Sequence, residues 1–314
     1  MKVLLLCLEE FIMEETIRLF GIQIGIFVQK KLLDFQELKK FEVNNPQNRK
    51  VQCCYTVDVK PDLNPQGKII YSLENVDIYT TDLRTERCFP RYDRLLEKDA
   101  YGAMLSYKTD VERGVKRSEM ELLFSEKMLE LYGDRLVASQ YMGLERLLLE
   151  HRGFLLHASL IEYRGLGIAF TAPSGTGKST QAELWEKYRG AEIINGDRAG
   201  IRLFPNDVKA YGSPMSGSSG IVKNKETHLR AIVVLRQAPE NRIRKMTAIE
   251  AFRALYSETL MNTWDAWYME TMTDLLLDAV RCIPVYLLEC RPDEEAVCIL
   301  EQTLREEVKN GRYK

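Results

Sequence analysis

A glycine-rich run near the middle of the chain has the residue types and spacing that bind phosphate groups. Backbone N–H groups of such a turn, with the N-terminus of a following helix, form a concave site for anionic oxygen atoms. Lys178 is placed to reach the terminal phosphates of a nucleotide, and Ser179 to offer its hydroxyl to Mg²⁺. The sequence therefore predicts a nucleotide-binding phosphate loop that comprises Ser174, Gly175, Thr176, Gly177, Lys178, Ser179 and Thr180.

One position of this loop departs from the full pattern. The outer glycine, six residues before the lysine, is replaced by Ala172, which is followed by Pro173. The inner Gly175 and Gly177, where the backbone must approach phosphate, are retained. The alternative is a glycine-rich loop without a ligand. The apolar strand pattern before the loop and the helix formers after it favour phosphate binding.

Phosphoryl transfer also needs a carboxylate that holds Mg²⁺, directly or through water. Asp197 follows a predicted strand and lies 19 residues after Lys178. We therefore predict Ser179 and Asp197 as the metal-side residues, and Asp197 and Lys178 as catalytic residues. The alternative for Asp197 is a turn residue that accepts hydrogen bonds from nearby backbone N–H groups.

Other polar residues give weaker indications of a catalytic or phosphate-binding role. His157 stands in an apolar strand beside the loop strand, where a histidine is more often structural than catalytic. Several basic residues could contact a transferring phosphate, although most lysines and arginines are simply solvated; they are Arg198, Lys223, Lys225, Arg230 and Arg236.

Strands and helices alternate through the second half of the chain, which predicts an α/β domain. Strands over 154–163 and 167–171, joined by a turn at Arg164-Gly165, lead into the loop. The helix after the loop is predicted to end at Arg189-Gly190. The remaining predictions are a strand over 191–195, a hairpin over 199–211, a Ser/Gly-rich loop over 212–220, strands over 229–235, 241–245 and 285–289, and helices over 247–261, 265–280 and from Pro292 to about 309, the last stopped by Asn310-Gly311.

The first half of the chain is dominated by strand patterns. Strands are predicted over 22–28, 51–59, 76–79 and 119–124, with turns at 44–46, 61–67 and 89–91. An apolar face from Leu136 to Leu148 predicts a helix that ends at Arg152-Gly153 and leads into the α/β half. We therefore predict a β-rich α+β domain of unknown role over 1–132 and a nucleotide-binding domain with a mixed sheet over 133–314.

The composition narrows the class of protein. The 314 residues include 44 basic and 46 acidic side chains, so no strong field favours nucleic acid or a membrane surface as a partner. The seven cysteines form no C-x-x-C pair, which favours a reducing, cytoplasmic environment. The apolar run at 3–8 is cut by Glu9-Glu10, so we expect no signal peptide and no transmembrane segment. The natural start is predicted at Met1 or Met13.

The run from His157 to Arg198 resembles the catalytic domain of bacterial HPr kinase/phosphorylase, a member of the phosphoenolpyruvate carboxykinase-like kinases. The matching parts are His157, the turn 163–167, the loop 174–179 and Asp197-Arg198 shortly after it. The resemblance implies an ATP-dependent, Mg²⁺-requiring kinase that acts on a hydroxyl, with His157, Lys178, Ser179 and Asp197 at its active site. We predict a serine of a peptide or protein, or a small metabolite, as the acceptor, and the oligomeric state stays open, with a homo-oligomer as one alternative.

Two departures from that family keep alternatives open. The family has two consecutive aspartates, and here Gly196 stands in the place of the first, the one proposed to accept the serine proton. The family's second signature and its N-terminal domain are not recognisable. The alternatives are a nucleotide-binding regulatory or scaffold protein with lost or weak catalysis, and a small-molecule ATPase or kinase unrelated to serine.

Overall fold

The computed structural model describes residues 13–28, 36–43, 51–90, 101–108 and 118–309. The predicted turn at 44–46, the helix stop at Asn310-Gly311 and the residues before Met13 lie outside them. The described ranges contain two mixed sheets and six α-helices, so the predicted α/β class is confirmed. The chain divides into two compact units, residues 1–147 and 148–314, whereas the predicted second domain begins at 133.

The first unit is built on an eight-stranded mixed sheet in the order β1-β2-β3-β8-β7-β6-β5-β4. Its central strands, β2, β3 and β8, run parallel to one another, and the other neighbours are antiparallel. The strands are β1 (Met13–Leu19), β2 (Ile22–Val28), β3 (Cys53–Lys60), β4 (Lys68–Leu73), β5 (Val76–Thr80), β6 (Arg84–Pro90), β7 (Tyr101–Lys108) and β8 (Ser118–Ser125). α1 (Glu126–Tyr132) is a helix of this unit, and α2 (Leu144–Glu150) spans the boundary between residues 147 and 148.

The helix predicted from Leu136 to an end at Arg152-Gly153 is wrong in its first half. Residues 133–135 and 138–140 form short 3-10 turns, and only α2 is α-helical. Gly143 adopts a φ of +61°, a left-handed conformation that interrupts a right-handed helix. The leucines that suggested one long helical face are therefore shared between turns and a short helix.

The second unit carries the predicted phosphate loop. Its strands are β9 (Gly153–Tyr163), β10 (Leu166–Thr171), β11 (Glu192–Asn195), β12 (Arg198–Phe204), β13 (Asp207–Tyr211), β14 (Glu226–Gln237), β15 (Arg242–Lys245) and β16 (Val285–Cys290). Its helices are α3 (Lys178–Arg189), α4 (Ala248–Glu258), α5 (Ala266–Cys282) and α6 (Glu294–Lys309).

Five strands of this unit pair in a closed ring. The pairings run β10-β9-β12-β13-β14, and β14 pairs in turn with β10 in parallel orientation. β16 and β15 extend from β14, and β11 pairs with β9. β10, β14 and β16 are parallel, so their carboxyl ends lie at one edge, where ligands bind in open α/β sheets.

Two apolar cores cover the strands of the second unit. In one, Leu156, Ala199 and Ile232 pack with residues of α4 and α5, such as Leu255 and Leu276. In the other, residues of β10, β14 and β16 pack with residues of α3 and α6. The strands are thus held between two helical layers, which fixes the strand ends that border the phosphate loop.

The helix termini follow the sequence signals with one correction. Gly190 ends α3 in the left-handed conformation, and Thr247 with Glu250 forms the predicted capping box of α4. α4 ends at Glu258, not at 261, because Thr259 turns into an extended conformation and pairs with Leu156 of β9. This early end brings Glu258 next to the strand that carries His157.

Candidate functional site

The glycine-rich loop has an open geometry. Gly175 and Gly177 adopt φ values of +78° and +114°, conformations that other residues rarely adopt. A Cβ built on either glycine meets no atom within 4 Å, so the backbone there faces open space. α3 begins directly afterwards without a side-chain cap, which leaves the N–H groups of its first turn available to an anion.

Lys178 is buried against the first residues of this loop. Its side chain is buried, and Nζ donates to the backbone oxygens of Ala172 at 2.8 Å and Pro173 at 3.3 Å. Burial lowers the pKa of Lys178, whereas the carboxylates of Glu258 and Asp197 oppose that shift. The Lys178 amino group is therefore held close to the loop by two backbone oxygens.

The position that departs from the usual loop pattern has a structural explanation. The Ala172 side chain is buried in the apolar core with Phe170 and Trp185. A small apolar side chain fits there, while the backbone oxygen of Ala172 remains a partner of Lys178. Ala172 at the position of the outer glycine thus packs into the core, away from the open part of the loop at Gly175 and Gly177.

The remaining predicted loop residues lie around the same opening. Ser174, Ser179 and Thr180 are exposed. The backbone oxygen of Thr176 accepts a hydrogen bond from Nε2 of Gln237 at 3.3 Å. Gln237 is the last residue of β14, so this contact ties the loop to the neighbouring parallel strand.

Asp197 follows β11, and Asn195 fixes its backbone. The N–H groups of Asp197 and Arg198 donate to Oδ1 of the buried Asn195 at 2.9 and 2.8 Å. The backbone oxygen of Asp197 accepts from the N–H of Ala158 at 2.9 Å. The side chain that accepts hydrogen bonds from the backbone N–H groups of this turn is therefore that of Asn195, not that of Asp197. The Asp197 carboxylate faces His157, with Oδ1 3.5 Å from Nε2 of the imidazole.

His157 lies between two carboxylates. Its Nδ1 is 3.0 Å from Oε2 of Glu258, and because an ionised carboxylate only accepts hydrogen bonds, Nδ1–H is the donor. Nε2 of the neutral ring then carries the lone pair and points towards Asp197. Burial and the positive charges of Lys178 and Arg198 lower the pKa of His157, and Glu258 and Asp197 oppose that shift.

Glu258 is the site residue that sequence reasoning missed. It is the last residue of α4, and its side chain is only 12% exposed. The backbone pairing of Thr259 with Leu156 and the hydrogen bond from the N–H of Leu260 to the oxygen of Leu155, 3.2 Å, hold the helix end against β9. No local motif marks a glutamate at a helix end as a partner for a histidine in a distant strand.

The predicted basic residues are only partly brought to the site. Arg198 is adjacent, with Nε 3.8 Å from Oδ2 of Asp197. Lys223 and Lys225 pair instead with Glu192, at the opposite end of β11 from Asp197. The remaining two are Arg230, on β14, and Arg236, which pairs with Glu289.

Gly196 stands where a side chain cannot be accommodated. A Cβ built on it would lie 2.0 Å from Oγ of Ser219, in the Ser/Gly-rich loop 212–220. The same loop approaches the neighbouring aspartate, since a Cβ on Gly217 would lie 2.8 Å from the Asp197 carboxyl carbon. An aspartate at position 196 would therefore require this loop to move.

The residues at the opening fit Mg²⁺ bound together with a nucleotide. In the described part of the chain, no group of three or more His, Cys, Asp or Glu side chains forms a metal cage. Mg²⁺ in nucleotide enzymes commonly takes one or two protein oxygens with phosphate and water. The Ser179 hydroxyl on the first turn of α3 and the Asp197 carboxylate are donors of that kind.

Comparisons with known proteins give a weak structural likeness. No protein-family model matches the sequence, and no curated protein matches it. The Hpr(Ser) kinase/phosphatase from Coxiella burnetii aligns over 49% of this chain and 98% of its own, with 12% identity and a TM-score of 0.31. These values are too low to assign the chain to that family. Among the described residues, no helix is long and apolar enough to cross a membrane.

Proposed function

We propose that the second unit is an ATP-dependent kinase of the HPr-kinase-like type, which transfers the γ-phosphoryl group to a hydroxyl. The observation that carries the proposal is the convergence of Lys178, Asp197 and His157 beside an open loop at the carboxyl end of β10. The acceptor we propose is a serine of a peptide or protein, or a small hydroxylated metabolite. The absence of C-x-x-C pairs is the basis for proposing a cytosolic location.

The binding roles follow from the geometry of the loop. The backbone N–H groups from Ser174 to Thr180 would hold the β- and γ-phosphates of ATP, with Lys178 Nζ turning from the Ala172 oxygen to a phosphate oxygen. Ser179 and Asp197 would hold Mg²⁺, which supplies charge neutralisation for the phosphates when bound. The loop therefore orients the γ-phosphorus towards the side of Asp197 and His157.

His157 is the proposed proton acceptor. Its Nε2 carries the lone pair when Nδ1–H donates to Glu258, and its lowered pKa keeps the ring neutral near pH 7. The hydroxyl oxygen of the acceptor attacks the γ-phosphorus, the bond to the bridging oxygen of ADP breaks, and the hydroxyl proton moves to Nε2. Glu258 acts as a positioning residue, because it fixes the tautomer and stabilises the imidazolium that forms.

A second candidate function is a nucleotide-binding regulatory protein with little turnover. The observation that favours it is the packing of Gly217 against the Asp197 carboxylate, on a side from which an acceptor could approach. In that case the protein would bind nucleotide through the same loop but transfer phosphate slowly.

The test compares the full chain with its Lys178→Ala variant. Each is incubated with a cell extract and ATP labelled in the γ-phosphate, and labelled peptides and metabolites are identified by mass spectrometry. A labelled acceptor that depends on Lys178 supports the kinase. Nucleotide-dependent thermal stabilisation of the wild type without labelled acceptor and without ADP formation would contradict it and support the regulatory function.

A further inference from the structure

The first residues of the Ser/Gly-rich loop 212–220 are held beside the candidate site. Nδ2 of the buried Asn195 donates to the backbone oxygens of Ser213 at 2.9 Å and Met215 at 3.2 Å. Oγ of Ser219 donates to the backbone oxygen of Ser216 at 2.8 Å, which closes a short turn at the tip of the loop. Asn195 thus fixes both this loop and the backbone of Asp197.

The tip of the loop lies on the carboxylate of Asp197. A Cβ built on Gly217 would lie 2.8 Å from the carboxyl carbon and 3.1 Å from Oδ1. Only a residue without a side chain permits this approach. The two serines that flank Gly217 are therefore next in sequence to a residue that lies on this carboxylate, which is itself 3.5 Å from His157, the proposed proton acceptor.

The serines at the tip differ in how their hydroxyls are engaged. The hydroxyl of Ser219 donates to the backbone oxygen of Ser216 within the turn. Oγ of Ser216 makes a long contact of 3.4 Å with the backbone oxygen of Gly217. Ser218 is exposed, and its hydroxyl has no hydrogen-bond partner among the described residues. Ser218 is therefore the serine of the tip whose oxygen is available as a nucleophile.

We propose that Ser218 is a self-phosphorylation site, modified by the active site of its own chain. This inference rests on the proposed kinase function. Oγ of Ser218 forms the new bond to the γ-phosphorus of ATP, and the bond between that phosphorus and the bridging oxygen breaks with its electron pair leaving on ADP. The hydroxyl proton moves to Nε2 of His157, 3.5 Å from Oδ1 of Asp197. The products are ADP and phosphoserine at position 218.

We expect the transfer to be intramolecular, because the loop that carries Ser218 contacts Asp197 of the same chain. Gly217 lies against Asp197 of the same chain, and Ser218 is the next residue in the sequence. Holding two reactants in one molecule replaces a bimolecular encounter with a unimolecular step. The rate should then be independent of protein concentration.

The experiment uses the purified full chain, Mg·ATP and intact-mass measurement over time, followed by mapping of the tryptic peptide 210–223. We expect one added phosphoryl group on Ser218, at a first-order rate that does not change over a ten-fold range of protein concentration. Ser218→Ala should remove the modification and Ser218→Thr should retain it, on threonine. Ser72→Ala, at an exposed serine of the first unit, is the matched control and should be modified like wild type.

Failure of this inference can be distinguished from failure of the proposed kinase by measuring ADP in the same samples. ADP formation that depends on Lys178, without phosphate at Ser218, would overturn the self-phosphorylation and leave the kinase standing. A rate proportional to protein concentration, or phosphate at another residue only, would also overturn it. Absence of both ADP and phosphoserine would overturn both proposals.

Discussion

Two glycine-rich loops border Asp197, and they use glycine for different physical reasons. In the phosphate loop, a Cβ at Gly175 or Gly177 would meet no atom within 4 Å, and the glycines are needed for their positive φ angles. In the Ser/Gly-rich loop, a Cβ at Gly212 would lie 2.0 Å from the backbone oxygen of Lys223, and one at Gly217 would touch Asp197. Glycine is thus used for its backbone conformation in the first loop and for the close approach of the protein's own atoms in the second.

The largest effect is expected from Lys178→Ala, which removes the cation of the open loop. A charge-assisted hydrogen bond contributes about 1.5–3 kcal/mol, so nucleotide affinity should fall roughly 10- to 100-fold and turnover should be lost. Thermal stabilisation by Mg·ATP measures the affinity. Lys187→Ala, at an exposed lysine of the same helix, is the control and should behave as wild type. Unchanged stabilisation of Lys178→Ala would show that the first loop does not bind nucleotide.

Asp197→Asn tests the residue at which the two loops meet. The amide keeps the shape of the side chain but removes the charge, so ADP formation should fall by about 100-fold or more. Binding of ATP without metal should change little, because the loop N–H groups and Lys178 are intact. Turnover near the wild-type rate would make Asp197 a structural residue that only supports Gly217.

A pair of glycine substitutions separates the two uses of glycine directly. Gly212→Ala forces a Cβ against backbone and should destabilise the second unit by about 1–3 kcal/mol, with nucleotide affinity retained. Gly175→Ala meets no atom but strains a positive φ, which costs about 1–2 kcal/mol, and it should weaken nucleotide binding. Denaturant unfolding and nucleotide titration of both variants check this. Equal loss of nucleotide affinity in the two variants would contradict the distinction.

The smallest effect is expected from Glu258→Gln, which changes a group that acts only through His157. Loss of a partner that orients a histidine typically costs about 10-fold or more, here in turnover and not in ATP affinity. Wild-type ADP formation should fall in acid, with a midpoint below pH 6.5 because the pKa of His157 is lowered. Glu258 raises that pKa, so its removal should move the midpoint to still lower pH. Glu258→Asp should restore part of the rate.

An unshifted acid midpoint in Glu258→Gln would mean that this carboxylate does not influence the titrating group. Loss of ATP affinity in the same variant would indicate a general disturbance of the site. The exposed Glu183 of α3 provides the control, since Glu183→Gln should leave both the rate and its pH dependence unchanged.

The parts of the site that sequence reasoning predicted are those encoded locally. The strand β10, the loop and α3 are consecutive, so apolar pattern, glycine spacing and helix formers indicate them together. Asp197 was predicted from its position after a strand and His157 from the resemblance to HPr kinase/phosphorylase, and the structure places their side chains 3.5 Å apart. Their chemical roles stay predictions.

The parts that were missed depend on contacts between distant residues. Glu258 reaches His157 only because α4 ends early and Thr259 pairs with β9. Gly196 suggested a missing catalytic group, and only the structure reveals that Ser219 occupies the space beside it. In the first unit β4 was not predicted, because its sequence has no alternation of apolar and polar residues. Its apolar residues Ile69, Ile70 and Leu73 are exposed at the edge of the sheet.

The closed ring of β9, β10, β12, β13 and β14 has a consequence for how the second unit opens. Each strand of the ring is bonded on both sides, so no strand can separate without breaking two sets of hydrogen bonds at once. We expect the backbone amides of the ring to exchange with deuterium only when the whole unit unfolds, while α6 and the tip of loop 212–220 exchange by local opening. The phosphate loop would then follow β10, a strand of the slowest-exchanging part of the unit. The serines at the tip of loop 212–220 would move while the strands of the ring stay in place.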